Sequence, residues 1–215
     1  MKKQIWLVCG VLLLAAMACS FGGAAQAPAA TESNVLFQDD FSSTSSGWER
    51  SVFDGGEVDY LDGAYHIRVD DEYASVWALT GGDYGDVRVE TDAVMAGGVD
   101  DNEFGVICRY QDDNNFYAGS VSSDGFYAII AIVDGDFTYL GNDAMMPSDA
   151  IKLGSEVNRV RLDCVGPQIT LYANGTQLLS VTDSSFAQGD VGLYAGTFAT
   201  PGIDIAFDNF LARRP

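Results

Sequence analysis

The sequence predicts an all-β domain of two antiparallel sheets packed face to face, and three observations carry that reading. Apolar and polar side chains alternate with period two through most of the chain beyond residue 35, Gly and Asp clusters interrupt the alternation at intervals of about ten residues, and helical spacing of apolar residues is nearly absent. A dozen or so short strands in one domain must close as a barrel or stack as two layers, because a single open sheet leaves an apolar face in water. The sandwich is the better expectation for a chain of this size.

From the N-terminus, Lys2 and Lys3 form a basic region, Ile5 to Ala16 an apolar one, and Ala16-Met17-Ala18 places small residues before Cys19. This is the pattern of an export signal. Its apolar run is shorter than the roughly 20 residues a membrane-spanning helix needs. A small residue directly before a cysteine resembles the lipobox of bacterial lipoproteins, which implies that residues 1–19 are a lipoprotein signal and that Cys19 is the lipid anchor. Such boxes usually carry Leu where Ala16 stands, and the same residues also read as an ordinary Ala-x-Ala cleavage site. The expected location is therefore the cell envelope, lipid-anchored and extracytoplasmic, or alternatively the free secreted state. Residues 20–34 are small and polar with no apolar period and read as a tether. The folded domain is expected over 35–215.

Within it, Tyr65, Ile67 and Val69 alternate with His66 and Arg68, Val87 and Val89 with Arg88 and Glu90, and Ile169 and Leu171 with Thr170 and Tyr172. Each run reads as a strand with one dry face. Asn174-Gly175, between two such runs, is the clearest hairpin, since a type I′ turn needs positive φ at both centres. A helix is expected only as one short turn around 145–151. Beyond the leader, Cys108 and Cys164 are the remaining cysteines, and an even pair in an exported chain suggests one disulfide. Phe104, Val106, Cys108 and Tyr110 alternate, as do Val160, Leu162 and Cys164, so both sulfurs are expected on an apolar face.

Without Lys2 and Lys3, nine Lys and Arg face 31 Asp and Glu. That field repels polyanions and excludes nucleic acid as a partner, because such binding depends on cations neutralising phosphates. Membrane contact is expected through the lipid anchor alone.

Five segments in order, Phe37-Gln38-Asp39-Asp40-Phe41 with Gly47-Trp48, Gly105 to Tyr110, Leu171 to Gly175, Gly189 to Leu193 and Ala206 to Phe210, resemble the concanavalin A-like lectin/glucanase superfamily. More narrowly they are similar to its laminin-G-like and 3-keto-disaccharide hydrolase-like members. The resemblance covers about Val35 to Arg213. It implies a jelly roll whose first and last strands lie side by side, which would pair the segment around Phe41 with that around Phe210. It also implies a carbohydrate ligand or substrate.

The glucanase branch uses Glu-x-Asp-x-x-Glu on one strand to aim two carboxylates at the cleft. No such run exists here; Glu57-Val58-Asp59-Tyr60-Leu61-Asp62 lacks the last Glu, so no catalytic residue is assigned. His66 is the sole histidine, and it falls on the polar side of a strand, where an exposed residue with no catalytic part is expected. Calcium is considered at Asp112 and Asp113, whose hard oxygens suit it, against the alternative of Asx turns bonding their own backbone. Sugar binding needs an aromatic platform with polar groups beside it. Trp77, Tyr84, Tyr117, Tyr127 and Tyr139 are available. Tyr117, just past the Asp/Asn loop, is the first candidate, with Asn114, Asn115 and Trp77 as further contacts; Trp48 is expected to plug one end of the sandwich. The function expected is glycan binding without catalysis, with a carbohydrate-active hydrolase or a purely structural envelope protein as alternatives.

Overall fold

A computed structural model describes residues 34–215. The export signal, Cys19 and the tether up to residue 33 lie outside the described residues. Two antiparallel sheets face each other, and no helix occurs among the described residues. The larger sheet runs, in spatial order, β14 (Thr176–Thr182), β13 (Gln168–Ala173), β12 (Asn158–Val165), β6 (Val87–Gly97), β16 (Ile203–Arg213), β4 (Ala64–Val69), β3 (Gly56–Leu61) and β2 (Ser51–Phe53). A ninth strand, β1 (Val35–Asp39), adds to the C-terminal half of β16 and sets Asp39 opposite Phe210. The expected neighbourhood of first and last strands is therefore present. The smaller sheet runs β10 (Asp136–Tyr139), β9 (Phe126–Val133), β8 (Asn115–Val121), β7 (Asn102–Asp112), β15 (Asp190–Thr197) and β5 (Ser75–Leu79), with β11 (Met146–Pro147) on the end of β9.

The alternation decides which side chains meet between the sheets. Tyr65, Ile67, Val89, Leu162 and Phe207 come from the nine-stranded sheet, and Phe104, Val106, Tyr117, Ile129 and Leu193 from the seven-stranded one; all are fully buried or nearly so. Cys108 on β7 and Cys164 on β12 join across this core as a disulfide, with Cα atoms 6.7 Å apart. Trp48 closes one end. Its ring sits 5.0 Å from Phe210 and 5.4 Å from Phe41, and its contacts extend the core rather than the surface.

Asn174-Gly175 makes its hairpin with φ of 51° and 82°. Asp62-Gly63 and Asp134-Gly135 take nearly the same pair of angles between β3 and β4 and between β9 and β10, because Asp shares with Asn a short side chain that tolerates the left-handed region. The expected helical turn around 145–151 is not formed. Met146 and Pro147 instead pair with Tyr127 and Phe126 of β9, and a single turn follows in which the Ile151 N–H donates to the Ser148 carbonyl.

One irregularity re-aims a functional strand. Arg109 has φ of 55°, and the pairing of β7 with β8 shifts register between Cys108 and Asp112. This bulge places Cys108 inward and Tyr110 outward, whereas strict alternation would set them on the same face. Arg109 itself is buried, donating from Nη1 to the Phe186 carbonyl and from Nη2 to the Gly166 carbonyl.

Candidate functional site

The two outer faces differ in chemistry. On the nine-stranded sheet they are charged and paired: Arg88 with Asp163, Arg161 with Asp163, Arg159 with Glu90 and Asp92, Arg213 with Glu90, and Arg68 with Glu57 and Asp70. Arg161 also lies over the Tyr172 ring at 3.8 Å. Most of these are cross-strand neighbours of opposite charge, while Arg161 with Asp163 and Arg68 with Asp70 pair along the chain. Glu57 and Asp59 of the glucanase-like run belong here, Glu57 bonded to Arg68 and Asp59 to Arg50. His66 is not free on this face as expected: Nδ1 lies 2.8 Å from Asp204 Oδ1, and the side chain is largely covered.

The seven-stranded sheet is dry on its outer face as well. Ile107, Phe116, Ala118, Ala128, Ile130 and Tyr194 form a second buried cluster there, with Trp77, Leu79, Tyr110, Ile132, Tyr139 and Met145 packed on it and partly exposed. Trp77 stands 5.3 Å from Phe116 and 6.5 Å from Tyr110, so the partly exposed rings of Trp77 on β5 and Tyr110 on β7 rest on the buried Phe116 of β8. Phe137 and Tyr139, 4.8 Å apart and edge to face, line the β10 border of the same face. Between these rings the floor is built of small residues. Gly105 and Gly192 are required there, since a Cβ would lie 2.0 Å from the Gly119 carbonyl and 2.1 Å from the Ala78 carbonyl respectively.

Polar groups are set into the far end of this apolar face. Glu103, 4% exposed, accepts from the Tyr194 hydroxyl at 2.5 Å and from Ser120 at 3.4 Å, and the Ser75 hydroxyl lies 2.9 Å from that of Tyr194. Burial pushes the Glu103 carboxyl up to about 7, while the bonds from Tyr194 and Ser120 pull the other way. The Tyr194 hydroxyl is held far above its ordinary range by burial first and by the Glu103 charge second. Tyr139, whose own hydroxyl is raised by burial and then by the Glu103 charge, also borders a cleft of about 320 Å³ that Asp101, Asp124, Phe126, Met145 and Phe198 help to line. Over the buried Glu103, Tyr194 and Ser120 network the face thus presents partly exposed rings at Trp77, Tyr110 and Tyr139 and the cleft carboxylates of Asp101 and Asp124, and rings beside hydrogen-bonding groups are what recognition of a polyhydroxylated ring requires.

Neither a protein-family model nor a curated protein matches this sequence. Solved structures do. A carbohydrate-binding module, CBM66, from Bacillus subtilis superposes with a TM-score of 0.64 at 16% identity, over 78% of this chain and 95% of its own. A protein of unknown function with a galectin-like fold, also from Bacillus subtilis, gives 0.61 at 12% identity over 84% and 96%. A structure described as a native glycosidic hydrolase gives 0.60 at 15% identity over 85% and 96%. The chain has the fold of a two-sheet jelly-roll sandwich. At these identities the likeness is one of fold.

Placed on the jelly roll, the residues expected to bind ligand separate. Trp77 is on the platform. Tyr117 is corrected: it is wholly buried on the inner face opposite Cys108, its hydroxyl bonded to Asp183 and accepting from the Phe186 N–H, and no sugar can stack on it. Its neighbour Phe116 holds the outward position. Asn114 and Asn115 stitch two adjacent hairpins, the Asn114 carbonyl accepting from the Gly135 N–H and Asn115 Oδ1 from the Asp134 N–H. Asp112 accepts from the Asn114 N–H and the Asn115 side chain, and Asp113 from the Tyr110 hydroxyl. The calcium expectation at Asp112 and Asp113 is not supported: these carboxylates are engaged in separate bonds, and among the described residues no three His, Cys, Asp or Glu side chains converge as a metal site. Tyr110 is a functional candidate that alternation alone did not reveal, and buried Phe116, Glu103 and Tyr194 support the face beneath. The signal available was the unbroken apolar run Phe104 to Cys108, which marks a strand dry on both faces.

Proposed function

We propose that this protein is an exported, extracytoplasmic glycan-binding protein, held at the cell envelope by lipid on Cys19, that takes its ligand on the outer face of the seven-stranded sheet without catalysing a reaction. The observation that carries the reading is the pair of partly exposed rings, Trp77 and Tyr110, on the same face as the cleft that Tyr139, Asp101 and Asp124 help to line. The carbohydrate-binding module and glycosidic hydrolase among the structural neighbours support it at the level of fold.

The test is affinity gel electrophoresis through a set of soluble polysaccharides, with a reducing-sugar assay on the same mixtures. Retardation by at least one polymer without release of reducing ends is expected. Trp77→Ala should weaken that binding by about 2 kcal/mol, roughly thirtyfold in Kd, as loss of a central aromatic anchor does; an unchanged Kd places the ligand elsewhere.

One observation favours a hydrolase as a second reading: a carboxyl pushed up to about 7 suits a general acid. Against it, glycoside hydrolysis requires two carboxylates flanking the bond, and Glu103 is held by Tyr194 with 4% of its surface exposed. Release of reducing sugar that disappears in Glu103→Gln would establish this second reading. Neither retention nor release would leave a structural envelope protein.

A further inference from the structure

We infer that the glycan bound by this face is uncharged, and that chains bearing carboxylate or sulfate groups are rejected at the end of the face where Asp101 and Asp124 stand. The inference rests on the glycan reading above and adds the ligand class to it.

The argument begins with where the cations are. Among the described residues, the strands of the seven-stranded sheet hold a single cationic residue, Arg109, and its guanidinium is turned onto the carbonyls of Phe186 and Gly166. Arg50, Arg68, Arg88, Arg159, Arg161 and Arg213 all pair with acids of the opposite sheet. The Lys152 ammonium donates to the Val157 carbonyl, in the segment between β11 and β12. Arg214 follows β16 on the opposite sheet, its N–H on the Asn34 carbonyl, so among the described residues the strands that carry the platform present no cation besides the engaged Arg109.

The acids point the same way. Asp101 and Asp124 line the cleft that Tyr139 shares with the aromatic face, and Glu103 lies buried beside Tyr194. An ionised carboxylate only accepts hydrogen bonds, so it complements a sugar hydroxyl, which donates. A uronate or sulfate is an acceptor too and brings nothing to bond with. It would also lose hydration against a half-dry aromatic wall with like charges nearby, where water screens repulsion poorly. A neutral sugar meets neither penalty.

The probe is a neutral polysaccharide that retards the protein, compared with the same polymer after oxidation of its primary hydroxyls to carboxylates, both at about 0.01 M ionic strength, where the Debye length is about 30 Å. The oxidised polymer should bind at least about tenfold more weakly. The paired substitution Asp101→Asn with Asp124→Asn should narrow that ratio at least about threefold. Asp54→Asn with Asp62→Asn, in the turns flanking β3 on the opposite sheet, makes the same change in total charge and should leave the ratio where it was. A melting midpoint for each variant confirms that it is folded. Equal or tighter binding of the oxidised polymer, or the same narrowing by both pairs, overturns the inference and leaves the glycan reading standing. Retention of no polymer, neutral or oxidised, overturns both.

Discussion

Replacing both half-cystines, as Cys108→Ala with Cys164→Ala, lowers the unfolding free energy by about 4 kcal/mol, because the bond closes a loop between residues 56 apart and removes that much chain entropy from the unfolded state. The bond lies between the sheets in the middle of the core, so alanines there also leave unfilled volume. The effect reaches the site, since β7 carries Cys108 on one face and Glu103 and Ile107 on the other. Urea denaturation of the oxidised, reduced and doubly substituted proteins checks it. A change below about 1 kcal/mol would mean that the sandwich holds β7 against β12 without the covalent link.

Glu103 gives the second large effect, and its sign is opposite to that of most carboxylates. Its carboxyl titrates near 7 in the folded protein against an ordinary 4.5, so between those values the unfolded chain has released a proton that the folded one retains. Stability therefore falls as pH rises from about 4.5 to 7, and above 7 the residue costs about 3 kcal/mol. Below pH 4.5 both states are protonated and the cost is absent. Glu103→Gln keeps an acceptor for the Tyr194 hydroxyl and removes the titration. The stability difference between Glu103→Gln and the parent should be level at low pH, grow through the interval from 4.5 to 7 and stay level beyond. Asp40 and Asp59, whose carboxyls are lowered chiefly by hydrogen bonds from Ser42 and Arg50, and Asp183, which burial raises but bonds from Tyr117 and Ser185 lower on balance, act alike in both proteins and cancel. A difference that does not change with pH would show that Glu103 is hydrated in the folded state.

Much of the sandwich is legible in the sequence because period two translates directly into faces. Tyr65, Ile67 and Val69, or Val160, Leu162 and Cys164, are inward because every second residue must be, and the disulfide follows from that parity. The site is less legible for the same reason. Parity propagates until something shifts it, and the bulge at Arg109 does so with a residue that no local rule marks as left-handed. Tyr110 therefore reads as core and is platform. Tyr117 shows the complementary error: it follows a polar loop and looks available, yet pairing opposite Cys108 turns it inward and gives Phe116 the outer position. Glu103 closes the acidic run Asp100-Asp101-Asn102-Glu103, a composition that marks a connection between strands and not a core. Its burial depends on Tyr194 and Ser120, brought to it by strands distant in sequence. Residues 1–33 lie outside the described structure, so anchoring through Cys19 stands as a proposal on sequence grounds.

The two tryptophans of the jelly roll are placed so that one spectrum can locate the ligand. Trp48 is buried at the end of the core, whereas Trp77 is partly exposed on the outer face of the seven-stranded sheet. Their indole N–H signals, assigned through Trp48→Phe and Trp77→Phe, can be followed by NMR while a retained polysaccharide is titrated in. Docking on the platform predicts that the Trp77 signal shifts with ligand and saturates while the Trp48 signal stays in place. Saturable binding that leaves Trp77 unmoved would contradict it.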